Sequence, residues 1–218
     1  MIIAIDGPSG SGKSTLGRML ARALNLLYID TGSMYRAVAL AVLDAHVDPN
    51  DKEAVTELAN RIEIDLEGDP ESLSVLLNGR DITEQIRTES VTEMSSIVST
   101  IPGVRRAMVE RQRALGKRGA VLNGRDIGTV VFPEADVKFF LTAVPEERAE
   151  RRYKEDQIIS SAATYAETLA DMMERDRRDS TRVDSPLKIA DDAIVVDSTG
   201  KTIDEVFAEM MANVHRHH

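Results

Sequence analysis

Residues 7–14 read Gly7-Pro8-Ser9-Gly10-Ser11-Gly12-Lys13-Ser14. This is a full match to G-x-x-x-x-G-K-[ST], a loop whose chemistry is the capture of a nucleoside triphosphate. Its glycines let successive backbone N–H groups converge on phosphate oxygens. The helix that follows adds the positive end of its dipole. Lys13 is placed to reach the β and γ phosphates, and Ser14 to ligate Mg²⁺. Thr15, at the helix start, is placed to bond the α phosphate. ATP and Mg²⁺ are therefore the expected cofactors. A guanine-reading N-K-x-D and a D-x-x-G after a strand are both missing, which disfavours a GTPase switch.

A kinase must also hold a second, anionic molecule in line with the γ phosphate, and four further clusters suit that task. The first is Asp30-Thr31-Gly32-Ser33-Met34-Tyr35-Arg36, at the end of the second apolar run. There Thr31 or Ser33 can cap a helix, Tyr35 can lie against a sugar or base, and Arg36 can grip a phosphate with two hydrogen bonds. The second is Asn123-Gly124-Arg125-Asp126-Ile127-Gly128, whose glycines permit close backbone approach to a ligand. The third runs from Arg175 to Arg182, with Arg175, Arg178 and Arg182 on one helical face and Asp179 among them. The fourth is Arg148, Arg151 and Arg152, just after Pro145 opens a helix. Phosphoryl transfer develops charge on equatorial oxygens, and arginine neutralises it best.

These clusters need a scaffold that brings strand ends together. Ile2–Ile5, Leu26–Ile29, Ala120–Leu122, Val137–Leu141 and Ala193–Val196 are short continuous apolar runs, as expected of parallel strands covered on both faces. Helical spacing separates them: Leu16, Met19, Leu20, Ala23 and Leu24, then Tyr35, Val38, Ala39 and Val42. Thr164 with Glu167, and Thr202 with Glu205, form capping boxes. Met172, Met173, Met210 and Met211 behind them read as core filler. The fold class is α/β, with a parallel sheet between helices. One stretch breaks the rhythm. Residues ~62–82 alternate apolar and polar and contain Asn78-Gly79, a tight-turn pair, so they predict a small antiparallel insertion of two or three strands. It is either a structural excursion or a flap over a substrate.

The chain has 218 residues, enough for one domain with an insertion, and a net charge of −10. That charge repels nucleic acid and anionic membranes, so neither is an expected partner. With no cysteine there are no disulfides or thiolate metal sites. No stretch approaches the ~18 apolar residues of a membrane span. A cytoplasmic monomer is expected. The terminal His215-Arg216-His217-His218 is expected to fray.

Taken together, G-P-S-G-S-G-K-S-T, D-T-G-S-M-Y-R, N-G-R-D-I-G-T-V-V-F-P and R-D-R-R-D-S-T-R resemble the bacterial cytidylate kinases, the CMP/dCMP kinases, over roughly residues 2–212. The resemblance implies a P-loop three-layer fold with a five-stranded parallel sheet. It implies a nucleoside-monophosphate-binding insertion over about 60–100 and a helical lid over about 145–165. It implies phosphate transfer from ATP to CMP or dCMP. Carried onto matching positions, Arg36, Arg125 and Arg182 hold the acceptor phosphate with Arg175 near, and Asp179 bonds the sugar beside Tyr35 and Thr31. Ser96, Arg105 and Asp126 read the base. Arg148 and Arg152 belong to the lid with Arg151, at least one of them reaching the donor phosphates, and Asp197-Ser198-Thr199 borders the adenine. Lys13, Arg125, Asp126 and Arg182 form the catalytic set. Asn123 stands where that family often has Asp. Cytosine offers an N4 amine to a carboxylate where uracil offers an oxygen, and an unpaired buried polar group costs ~1–3 kcal/mol. CMP is therefore expected to outperform UMP by at least about tenfold. Two other readings share the loop: a kinase of another small molecule, and a nucleotide sensor without transfer.

Overall fold

A computed structural model describes residues 1–158 and 163–217. In chain order the first elements are β1 (Ile2–Asp6), α1 (Lys13–Leu24), β2 (Leu27–Asp30), α2 (Thr31–Asp44) and α3 (Lys52–Arg61). A small sheet follows, β3 (Ile64–Glu67), β4 (Ser74–Leu77) and β5 (Arg80–Asp81), then α4 (Glu89–Val98) and α5 (Pro102–Gly116). The chain ends with β6 (Ala120–Gly124), β7 (Val137–Thr142), α6 (Pro145–Ile158), α7 (Tyr165–Thr181), β8 (Ile194–Asp197) and α8 (Ile203–His217).

The large sheet is wholly parallel in the order β2-β6-β1-β7-β8. Alternation along each strand sends side chains to both faces. Ile3, Ile5, Val121, Phe139 and Leu141 meet Leu16 and Leu20 of α1 and Val206 and Met210 of α8. On the opposite face Ala4, Ile29 and Leu122 meet Met34 and Val38 of α2 and Val104 and Met108 of α5. The result is three layers, helix–sheet–helix, with a core on each side of the sheet.

The strands run further than the apolar runs: β1 to Asp6, β2 to Asp30, β6 to Gly124. Backbone pairing continues past the last apolar residue, because a ladder needs only N–H and C=O groups. At the edge, Val195 of β8 is 51% exposed, so that strand is not covered on both faces. Met172 and Met210 are buried as expected, but Met173 is 55% exposed and is no core filler. Instead of fraying, the C-terminal segment continues α8 through His217. The box of Thr164 and Glu167 is closed in both directions ahead of α7.

The antiparallel insertion has three strands, β3-β4-β5. Its tight turn sits at Asn78 and Gly79, with φ of 50° and 76°, the doubly left-handed geometry that suits a right-twisted hairpin. Ile64, Val75 and Leu77 point into the same core as α2 and α3, which fixes the small sheet to the body. Arg111 of α5 donates to the carbonyls of Ala59, Asn60 and Ile62, covering the orphan acceptors at the end of α3.

Candidate active site

Parallel register sets Asp6 opposite Gly124 and Asp30 opposite Asn123. Three strands thus end at one level, where open α/β sheets bind ligands. The 7–14 loop connects β1 to α1. Gly12 precedes α1 at φ 93° and no side chain caps the helix, so its first N–H groups remain available to an anion. Gly10 has φ 70°, and a Cβ there would lie 2.6 Å from the Arg148 carbonyl oxygen. Only glycine serves at that close approach.

Lys13 is 7% exposed. Its Nζ donates to the Pro8 carbonyl at 2.5 Å and to the Ser11 hydroxyl at 3.3 Å. Burial, then the Arg125 and Arg175 guanidiniums, hold it well below the usual lysine pKa. Burial and Arg125 likewise push Arg175 down to about 10. Both shifts come first from burial and second from neighbouring cations, the environment of a buried cationic site.

A cleft of about 560 Å³ runs from the loop across the ends of β2 and β6 to α7. Its walls carry nine Lys and Arg side chains against four Asp and Glu. This surplus of five cations sits in a chain of net charge −10. Four of the cations on the far side lean on internal carboxylates. Arg36 donates to Asp30 at 3.2 Å, and Arg125 Nε to Asp179 at 2.8 Å. Arg182 reaches Asp179 at 3.3 Å and Asp126 at 4.0 Å. Arg105, 2% exposed, donates to Asp126 and to the Ser99 carbonyl, and its guanidinium lies 5.5 Å from the Tyr35 ring centroid. Against the desolvation that would raise it, Arg125, Arg175 and Arg182 hold Asp179 below the usual carboxylate range.

Of the residues expected in the site, Ser9 to Thr15, Thr31, Tyr35, Arg36, Arg105, Arg125, Asp126, Arg152, Arg175, Asp179 and Arg182 line this one cleft. Gly7 and Pro8, the first two residues of the loop, do not line it. Ser96 is not on its wall; Ser95 and Ser99 are. The helical phase of α4 decides this, because Val91, Ser95 and Val98 form its buried face. Helix α2 is capped by neither Thr31 nor Ser33. Asp30 accepts from the Gly32 and Ser33 amides, and Thr31 donates to the Asn123 carbonyl at 2.7 Å.

Arg148 is a second correction. It does not face the cleft; it is 6% exposed and lies under the loop. It donates to the Ser9 carbonyl at 2.8 Å and to Asp176 at 2.6 Å, while Asp176 accepts the Ser9 amide at 3.0 Å. α6 and α7 thereby grip both backbone groups of Ser9. Hydrogen bonds to charged groups are worth ~1.5–3 kcal/mol. Arg148→Met is expected to raise the KM for ATP severalfold, with little change in that of the acceptor; equal change in both would contradict this role. Of the other two lid arginines, Arg151 donates to the hydroxyl and carbonyl of Ser198, tying α6 to the loop after β8. Residues 159–162 of the expected lid lie outside the described residues.

Several participants escaped the sequence reading: Asp6, Asp176, Ser95 and Ser99. Lys201, Ile203 and Val206 also line the cleft. Only the two serines had a signal, the i, i+4 spacing on the buried side of α4. Asp6 and Asp176 meet their partners across 121 and 167 residues of chain, although Asp176 lies inside the arginine-rich motif.

The family model described as "Cytidylate kinase" matches residues 3–216. The chain is 48% identical over 215 residues to a curated cytidylate kinase of Geobacter sp. (strain M21), covering 98% of this chain and 92% of that protein. It is 51% identical over 205 residues to that of Desulforamulus reducens, covering 94% and 92%. Among solved structures, an uncharacterized protein from Eubacterium ventriosum shares the fold, with a TM-score of 0.55 at 10% identity over 99% of this chain and 98% of that one. A complete phosphate loop, a cationic cleft at the strand ends and a family match over nearly the whole chain agree: the chain belongs to the cytidylate kinase family and is a nucleoside monophosphate kinase.

Proposed function

We propose that ATP occupies the loop end of the cleft and CMP or dCMP the far end, and that the γ-phosphate passes between them to give CDP or dCDP and ADP. The observation that carries this is the surplus of five cations in one cleft that joins the loop to the ends of β2 and β6. Two phosphorylated ligands placed tail to tail need such neutralisation, and a small-molecule kinase with an uncharged acceptor does not.

The loop amides and Lys13 take the donor phosphates, with Thr15 at the α position and Arg152 above. Arg36, Arg125, Arg182 and Arg175 take the acceptor phosphate. Asp179 takes the sugar hydroxyl, with Thr31 and Tyr35 alongside. Arg105 and Asp126 read cytosine, with Ser95 and Ser99 as the nearby hydroxyls. Arg36, Arg125 and Arg182 exchange a carboxylate partner for the ligand, so these side chains are aimed before the ligand arrives. The acceptor phosphate is already anionic, so no general base is required; alignment and charge stabilisation do the work.

Magnesium fits the loop. Ser14 Oγ accepts from Asn123 Nδ2 at 3.1 Å, and Asn123 Oδ1 is buried without a partner among the described residues. These are hard oxygen donors of the kind Mg²⁺ takes, directly or through its waters. Ser14 would hold the ion, which would neutralise charge on the donor phosphates. Closure of the 145–165 segment over the donor, and of the 60–100 insertion over the acceptor, would exclude water and so limit ATP hydrolysis. A cytoplasmic monomer acting on small molecules, with no nucleic-acid or membrane partner, completes the reading. No helix among the described residues is long and apolar enough to cross a membrane.

The test is ATP consumption with Mg²⁺ against CMP, dCMP, UMP, AMP and GMP. Strong turnover with CMP and dCMP is expected, with UMP at least about tenfold weaker and no turnover with purines. Binding of ATP with no nucleotide phosphorylated would remove the acceptor assignment.

A further inference from the structure

Asp6 is the last residue of β1 and is 4% exposed. Its neighbours in sequence belong to the loop, yet its side chain turns to the other half of the site. One carboxylate oxygen accepts the Ile127 amide at 2.8 Å and the other the Gly128 amide at 2.7 Å. Those amides open a short π-helical turn, Ile127–Val131, directly after Arg125 and Asp126. The turn's conformation is unusual, with Asp126 at φ −145°, ψ 24°; Arg113 of α5 holds its far end through the Val130 and Val131 carbonyls, and Asp6 holds its start. A turn of this kind is often a functional device. Packing at Gly128 leaves little slack, since a Cβ there would lie 3.1 Å from the Lys138 side chain and 3.4 Å from Asp6.

We propose that Asp6 is the positioning residue for the acceptor half of the cleft: its two oxygens hold the turn that aims Arg125 and Asp126. Arg125 is anchored by Asp179 at 2.8 Å and by the Gly124 carbonyl at 3.3 Å, and its backbone leads directly into the turn. Loosening the turn therefore shifts a phosphate-binding guanidinium and a base-reading carboxylate together. A misplacement of about 1 Å at such groups is enough to reduce activity by about a hundredfold.

The ionised form of Asp6 does this work, since only a carboxylate offers an acceptor to each of two amides. Desolvation pushes its pKa up to about 6, opposed by the two amides. The charged groups around it are Asp126, just before the turn, Lys13 of α1 and Lys138 of β7, whose stem passes Gly128. Protonation near pH 6 makes one oxygen a donor facing an N–H, and the turn loses a bond.

The inference rests on the acceptor-side reading above, so one arm of its test needs no substrate. In ¹⁵N-labelled wild-type protein, the Ile127 and Gly128 amides and the Arg125 Nε resonance are followed from pH 8 to 5. All three are expected to move with a common midpoint near 6. Asp179 stays ionised there, so it does not supply that midpoint. An Arg125 resonance that stays still while the amides titrate would overturn the proposal. The second arm is kinetic. Asp6→Asn keeps the size and removes one acceptor; it is expected to raise the KM for CMP by about ten- to a hundredfold while that for ATP changes less than about twofold. If the variant folds with both KM values unchanged, or raised alike, Asp6 is merely structural. If CMP is not the acceptor, the resonance arm still decides the role of Asp6.

Discussion

Lys13→Ala is expected to lower kcat by about two to four orders of magnitude, the range seen when one preorganised charge is lost from a transition state. Lys13 is 7% exposed, and its Nζ is folded back onto the Pro8 carbonyl and the Ser11 hydroxyl. Burial and the Arg125 and Arg175 charges hold its pKa down. Arriving phosphates reverse that balance, because their negative charge favours the ammonium form. The positive charge is then strongest where the transferred group carries its own charge. Alanine leaves the loop amides in place, so ATP affinity should weaken less than turnover. Lys13→Arg should not rescue, because a planar fork does not fit a buried point-charge site. Steady-state kinetics at saturating ATP and CMP make the measurement. Turnover within about threefold of wild type would contradict the role assigned to Lys13.

Asp126→Ala is expected to cost about 3–5 kcal/mol of folding stability, the penalty for leaving a buried charge without its partner. Arg105 is among the largest fully buried side chains in the protein and Asp126 is 5% exposed. The guanidinium keeps the Ser99 carbonyl and the Tyr35 ring, but its Nε is already unpartnered among the described residues. Removing the carboxylate also brings Arg182 and Arg105, which repel each other, into a pocket with one anion fewer. The double variant Arg105→Met with Asp126→Ala should recover much of the loss, since an apolar pair has no charge to desolvate. Urea unfolding of the two single variants and the double variant gives the coupling directly. Additive losses would mean that the pair is not the source. In the proposed mechanism the buried pair is the cytosine reader, so its single variants should also lose discrimination against UMP. That loss is separable from stability at low temperature, where the folded fraction stays high.

Much of this protein follows from local chemistry. A glycine loop between an apolar run and an amphipathic helix has one physical outcome, because its spacing, its φ requirements and its helix start depend only on neighbours in the chain. The five strands, the Asn78-Gly79 turn and the α7 capping box are local in the same sense. So are the motif residues that carry Arg36, Arg125 and Arg182, since arginines near glycines at strand ends need only a ligand to explain them.

What the tertiary structure alone decided is which polar group meets which. Arg148 and Arg152 are four residues apart on α6, and no pattern tells that one clamps Ser9 from beneath while the other faces the cleft. That choice depends on where α7 places Asp176. Ser95 rather than Ser96 lines the cleft because the rotation of α4 is set by its packing on α2, and one residue of rotation is 100°. Asp6 and the turn it holds are 121 residues apart, joined only because β1 lies beside β6 in register. Sequence determines the kinds of group available at each strand end. Sheet order and helix rotation determine which of them converge within hydrogen-bonding distance, because that distance is a few ångströms and the chain between them is long.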